Sequence, residues 1–277
     1  MRSAAEVFFL SAGDGTRGQR LCLYHRPQGP RVHGAVVYVH PFAEEMNKSR
    51  RMAALQARAL ARCGHAVLQI DLLGCGDSSG DFGDATWSDW VADVVEAAHW
   101  LRQRHAQPLW LWGLRAGCLL ASEAAARLHA PCNLLLWQPP ASGKVLLQQF
   151  LRLKVAGDML GGQAKGAMDT LRAQLAAGEP VEVAGYRLAP ALARGLESAA
   201  LEAGPAIGQV AWLELSTRAD AALLPASAAT LQRWQQAGRA VTAQVVQGPA
   251  FWQTTEIEEA PALIDATLAA VAEAVTA

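Results

Sequence analysis

No Cys-x-x-Cys pair occurs among the five cysteines, Cys22, Cys63, Cys75, Cys118 and Cys132. Their number is odd and their spacing scattered, so neither a zinc site nor a disulfide framework organises this chain, which fits a reducing cytoplasm. No apolar run approaches the length of a membrane span, and Val7-Phe8-Phe9-Leu10 is too short for the core of a signal peptide. A cytoplasmic location is therefore expected. With a formal charge of -1 and no basic-aromatic pattern, nothing favours nucleic acid as a partner. There is no Gly-Lys-Ser/Thr phosphate loop. Gly74, Gly76 and Gly80 lack the spacing of a dinucleotide fingerprint. No metal and no cofactor is expected.

What the chain does have is apolar substance: 52% of its 277 residues are hydrophobic, enough for helices on both faces of a buried sheet. Ala5–Leu10 and Arg20–His25 read as a hairpin across the turn-rich stretch Gly13–Gly18. The continuous apolar run Gly34–His40 reads as a strand buried on both faces. Helical spacing over Ser49–Cys63, closed by Gly64, is followed by a strand over Ala66–Asp71 and a loop over Leu72–Gly80. Thr86–Arg104 is a predicted helix, with Trp87, Trp90 and Trp100 at core spacing. A strand at Asn133–Trp137 then precedes Pro139-Pro140, where the rhythm breaks. Residues 141–204 are helix-rich and punctuated by glycines, Gly161 and Gly162 among them. They read as an inserted helical cap. Strand Val210–Leu215, helix Ala226–Ala237, strand Val241–Val246 and a last helix ending near Val275 complete the pattern. Strands alternating with helices imply a mostly parallel sheet. The expected organisation is thus a core of 1–140 and 205–277 with a cap of 141–204.

The stretch that organises the rest is Pro108-Leu109-Trp110-Leu111-Trp112-Gly113-Leu114-Arg115-Ala116-Gly117-Cys118. A buried strand, a tight Gly-x-X-x-Gly corner and an Ala/Leu-rich helix form the frame of a nucleophile elbow. The glycines are needed because side chains two residues either side of the strained central residue would clash. The central residue is Arg115. A guanidinium stays protonated and cannot act as an acyl-transfer nucleophile.

These segments, in this order, resemble the α/β-hydrolase superfamily. His40-Pro41-Phe42 resembles the segment after its third strand. Asp71-Leu72-Leu73-Gly74-Cys75-Gly76-Asp77-Ser78 resembles its Asp-x-x-Gly-x-Gly-x-Ser loop. Ser216-Thr217-Arg218-Ala219-Asp220 resembles the segment carrying the triad acid, and Gln247–Trp252 the segment carrying the triad histidine. The Gly-Leu-Arg elbow and Phe251-Trp252-Gln253-Thr254 running into Glu256–Glu259 are similar to the exosortase-A-associated hydrolase 2 group, which is encoded beside bacterial exopolysaccharide and protein-sorting machinery. The resemblance implies an α/β-hydrolase fold: a mostly parallel central sheet flanked by helices, with a helical cap. Carried over position by position, it puts Arg115 at the nucleophile, Asp220 at the acid and Phe251 at the histidine. The two members that move protons are missing. The main-chain oxyanion donors, the Ala116 N–H and one near Phe42, do not depend on those side chains.

The expected site is accordingly a cleft holding Arg115, Ala116, Phe42, His40, Glu44, Phe251 and Trp252. Arg115 reads either as a fork for an anionic ligand or as the partner of Glu44, Glu45 or Asp220. His40 reads as a cleft contact or as a histidine bonded to backbone. Asp71 and Ser78 read as braces of their own loop, and Cys118 as a core thiol. Trp137, Trp212 and Trp252 are candidates to line the cleft. The favoured function is a binder, without triad catalysis, of an anionic or acylated small molecule or of a partner protein of the exopolysaccharide or sorting machinery. The alternative is a hydrolase or acyl-transfer enzyme in which His40, Asp220 or Glu44 activates water and Arg115 stabilises the oxyanion. A third possibility is a structural subunit with a vestigial cleft. If only the triad side chains have been lost, Arg115→Ser with Phe251→His should restore esterase activity.

Overall fold

The computed structural model describes residues 5–160 and 166–276. Gly161 and Gly162 lie outside the described residues. The chain runs β1 (Glu6–Ser11), β2 (Gln19–His25), β3 (Gly34–Val39), α1 (Glu44–Arg62), β4 (His65–Ile70), α2 (Trp87–Arg102), β5 (Leu109–Leu114), α3 (Ala116–Arg127) and β6 (Cys132–Trp137). There follow α4 (Gly143–Leu160), α5 (Ala167–Ala176), β7 (Val181–Val183), β8 (Tyr186–Leu188), α6 (Pro190–Ser198), β9 (Ile207–Ser216), α7 (Pro225–Gln236), β10 (Ala240–Gln247) and α8 (Pro261–Thr276).

One eight-stranded sheet has the order β1-β2-β4-β3-β5-β6-β9-β10. β2 is antiparallel to both β1 and β4, and every other pair in this sheet is parallel. Side chains alternate across each strand, and β5 shows the consequence. Leu109 and Leu111 enter the apolar layer beneath α2 and α3, while Trp110, Trp112 and Leu114 enter the layer beneath α1 and α8. A sheet covered on both faces explains why its central strands read as unbroken apolar runs.

Two polar ties hold the hairpin and the loop after β4. Arg20 Nε donates to Asp93 Oδ2 at 2.7 Å with both side chains fully buried, and the Leu73 N–H donates to the same oxygen at 2.9 Å. Ser78 Oγ donates to the Asp71 carbonyl at 2.6 Å and accepts from the Leu21 N–H. The Asp71 carboxylate, read from sequence as a brace for its own loop, instead accepts from Arg50 of α1 at 3.0 Å.

Helix α1 begins at Glu44, five residues before the start read from the sequence. Its first turn is polar, so the Ala/Leu periodicity does not reach it, and its N-cap is Ala43 with φ 51°, which gives no side-chain capping signal. Glu44 and Glu45 fit there because carboxylates are favoured at the positive end of a helix. Between β6 and β9 the chain forms α4, α5, a β7–β8 hairpin and α6, so this stretch contains a small antiparallel pair that its helical pattern hid.

Candidate functional site

The corner at residue 115 has the backbone of an elbow. Arg115 has φ 54° and ψ -118°, a region costly for a residue with a Cβ. Its N–H donates to the Trp137 carbonyl at 3.0 Å, and its carbonyl accepts from the Cys118 N–H at 2.9 Å. A Cβ on Gly117 would stand 2.1 Å from the Val39 carbonyl oxygen, and one on Gly113 would stand 2.5 Å from the Cys118 nitrogen. Only glycine lets α3 pass this close to β3 and turn back over its own strand. Ala116 opens α3, so its N–H is one of the first-turn donors for which a helix has no internal acceptor.

The Arg115 side chain lies over the C-terminal ends of the strands, where open α/β sheets place their ligands. Nε donates to Glu45 Oε1 at 3.2 Å, and Nη2 donates to Gln149 Oε1 of α4 at 2.8 Å. The guanidinium carbon stands 5.7 Å from the centre of the Trp252 ring. A cleft of about 570 Å³ opens beside it, lined by Phe42, Glu44, Glu45, Lys48, Arg115, Gln138, Leu146, Gln149, Phe150, Leu153, Leu215, Ala250, Trp252 and Gln253. Phe42 and Phe150 meet edge to face at 5.0 Å and form its apolar wall.

Burial raises the Glu45 carboxyl to about 7, against the pull of the Arg115 guanidinium. Burial also raises Glu44, opposed by hydrogen bonding to its own backbone and by Lys48. Glu44 and Glu45 each keep one buried oxygen, Oε2, without a hydrogen-bond partner. No serine, cysteine or histidine lines the cleft among the described residues. Cys118 donates to the Gly113 carbonyl, and burial pushes its thiol upward, as befits a core residue.

Four of the expected site residues, Arg115, Phe42, Glu44 and Trp252, do meet in this cleft. Three do not. His40 is buried, its Nδ1 is 2.8 Å from the Pro41 carbonyl and its Nε2 accepts from the Leu72 N–H at 3.3 Å. Both ring nitrogens are thus occupied, burial lowers the group, and the imidazole faces a separate cavity of about 180 Å³ beside Arg50 and Asp71. Phe251 is fully buried, packed against Trp137 and Trp252 in the layer under α8. Asp220, expected at the acid position, is an 83% exposed side chain, 3.6 Å from Arg218. Trp137 and Trp212 are also core residues: Trp137 donates to Thr267, and Trp212 donates to the buried carboxylate of Glu214. Of the three partners open to Arg115, the fold selects Glu45. Gln149 escaped sequence reasoning because nothing in its spacing tells which face of α4 covers the elbow.

Sheet order, elbow and helical layers together define an α/β-hydrolase fold. Residues 30–172 match the family described as Serine aminopeptidase, S33 (Hydrolase_4), and the chain belongs to that family. No curated protein matches the chain. Among solved structures, Est1E of Butyrivibrio proteoclasticus with ferulic acid bound is similar at TM-score 0.68 and 16% identity, over 98% of this chain and 100% of that one. An α/β serine hydrolase without lid from Xanthomonas campestris is similar at TM-score 0.58 and 17% identity, over 100% of this chain and 98% of that one. An α/β serine hydrolase homologue from Coxiella burnetii gives 0.56 and 13%, over 98% of each chain.

Proposed function

We propose that this hydrolase-fold protein is a binder, not a serine hydrolase, and that it holds an anionic or acylated small molecule at the Arg115 cleft. The observation that carries this is the elbow itself. Its strained backbone persists, yet it presents a guanidinium tied to Glu45 and Gln149 where an attacking hydroxyl would be needed. A planar fork over an aromatic ring, with an apolar wall beside it, suits an acid or acyl head with a hydrophobic body. The similarity of the Gly-Leu-Arg elbow and the Phe251–Glu259 stretch to the exosortase-associated group supports a role beside exopolysaccharide or protein-sorting machinery, either through this ligand or through a partner protein. Five free cysteines support a cytoplasmic location. Among the described residues no helix is long and apolar enough to cross a membrane. Residues 141–204 act in this reading as the cap that carries Gln149 and Phe150 over the ligand.

The test has two parts. Fluorophosphonate probes, which report activated serines, should leave the protein unlabelled. A thermal-shift screen of anionic and acylated amphiphiles should yield ligands that stabilise the wild type but not a folded Arg115→Gln variant. Stoichiometric labelling of any serine would sink this reading.

One observation favours a second reading. A carboxyl raised to about 7 beside a fixed cation is tuned for general-base work, so Glu45, rather than His40, Asp220 or Glu44, would activate water in a hydrolytic alternative. That alternative requires p-nitrophenyl ester turnover by the wild type that Arg115→Gln and Glu45→Gln both abolish.

A further inference from the structure

Glu45 engages Arg115 with one oxygen only. Oε1 accepts from the guanidinium, while Oε2 is buried beside the cleft with no donor. An unpaired carboxylate oxygen in such a place is costly, and a proton on it would in turn need an acceptor. The neighbours leave that need unmet. Arg115 faces Glu45 from the elbow, Glu44 and Lys48 face it along α1, the buried Tyr38 phenol faces it from β3, and Tyr186 of β8 faces Glu44. α4 presents the neutral Gln149, whose Oε1 is taken by Arg115, and the stretch after β10 presents the uncharged Trp252 and Gln253. An anion set against Arg115 therefore meets the Glu45 carboxylate as well. Two carboxylates at one cation cannot both stay ionised cheaply.

We propose that the ligand is an amphiphilic monocarboxylic acid whose head sits among Arg115, Glu45 and Gln149, and that it binds together with one proton held by Glu45. Its hydrocarbon body lies along Phe42, Leu146 and Phe150 toward Leu153, a leucine that stays 43% exposed at the mouth. This rests on the anion-binding reading above and narrows it to one class of ligand. In the complex Arg115 donates to both carboxyl groups, and Oε2–H of Glu45 donates to the ligand carboxylate. The proton comes from solvent, and no covalent bond to carbon changes. Because burial already holds Glu45 near 7 in the free protein, proton uptake is small in mildly acidic solution and approaches one per ligand in mildly alkaline solution.

The experiment is calorimetric titration of the full chain with octanoate, in pairs of buffers that differ in ionisation enthalpy. At about pH 8 the wild type should take up close to one proton per octanoate and bind roughly tenfold more weakly than at about pH 6, since about a tenth of Glu45 is then protonated in the free protein. Glu45→Gln supplies a neutral amide donor in the same place. It should bind with no proton uptake and hold at about pH 8 the affinity that the wild type shows at about pH 6. Arg115-dependent binding by the wild type that is independent of pH and free of proton uptake overturns this inference and leaves the anion-binding reading standing. Octanoate that fails to bind at any pH, or that binds Arg115→Gln equally well, overturns this inference too, and the anion-binding reading falls with it when the screen of anionic and acylated amphiphiles also yields no Arg115-dependent ligand. The wild-type proton count needs no variant, so it decides the matter even if Glu45→Gln does not fold.

Discussion

At position 115 the backbone keeps the conformation of an elbow while the side chain carries a charge that no hydrolase nucleophile could carry. Exchanging two side chains does not rebuild the missing chemistry. Phe251 stands at the aligned histidine position, yet its ring lies wholly inside the layer under α8, between Trp137 and Trp252. An imidazole there would be a buried polar group without a partner, at a cost of about 1–3 kcal/mol. Asp220, which would have to orient it, sits in solvent beside Arg218. Arg115→Ser with Phe251→His should therefore hydrolyse p-nitrophenyl acetate no faster than the wild type and should melt at a lower temperature. The sequence-based expectation of restored activity is thus reversed. Measurable esterase turnover by the folded double variant would show that the loop after β10 can swing Phe251 into the cleft.

The elements around the elbow make a sharper prediction. Gly117 lies where α3 crosses β3, with the Val39 carbonyl 2.1 Å from where a Cβ would stand. That neighbour is backbone in a central strand and cannot step aside. Gly117→Ala should cost about 3 kcal/mol and lower the melting temperature by roughly 6–12 °C. Gly204, with open space around its Cβ position and no left-handed φ, should accept alanine with little change or a slight gain. Circular dichroism melts of the two variants check the contrast. Equal melting temperatures would mean that α3 can move off the sheet. The elbow was legible in the sequence because this contact writes itself as Gly-x-X-x-Gly. The central strands were legible because burial on both faces writes itself as apolar runs. The first turn of α1 was not, since Glu44 and Glu45 follow neither an apolar stripe nor a capping side chain. Glu45 could be named as one partner of Arg115 among three, because charge type is readable. The choice among them needed the path of β3 into α1, which brings residues 45 and 115 together across seventy positions. Phe251 and Asp220 were misplaced for the converse reason: alignment fixes a position along the chain, while packing fixes where the side chain goes.

Across the whole molecule, burial sets the response to acid. His25, His40, His65 and His105 are all lowered from the ordinary histidine value, in each case chiefly by burial. A group lowered in the folded state contributes stability that is present above its unfolded value, about 6.5 for histidine, and is lost as pH falls through its folded value. Glu45 works in the opposite sense. Its carboxyl, raised to about 7, contributes stability that is present below the ordinary glutamate value and is lost as pH rises through about 7. Glu44 and Asp93 are raised as well, and their burial adds to the same side. At about pH 6, unfolding should release about one proton from Glu45, while the four histidines, held lower in the folded state, take protons up. The histidines make acidification cost stability, and Glu45 opposes them over the same interval. Glu45→Gln removes one term of the opposition. Its stability should therefore fall more steeply over the same interval, by about 1 kcal/mol more per unit. Urea denaturation of both proteins across this interval measures the two slopes. Parallel slopes would mean that Glu45 is already ionised throughout, and that Arg115 offsets the burial of the carboxylate in the free protein.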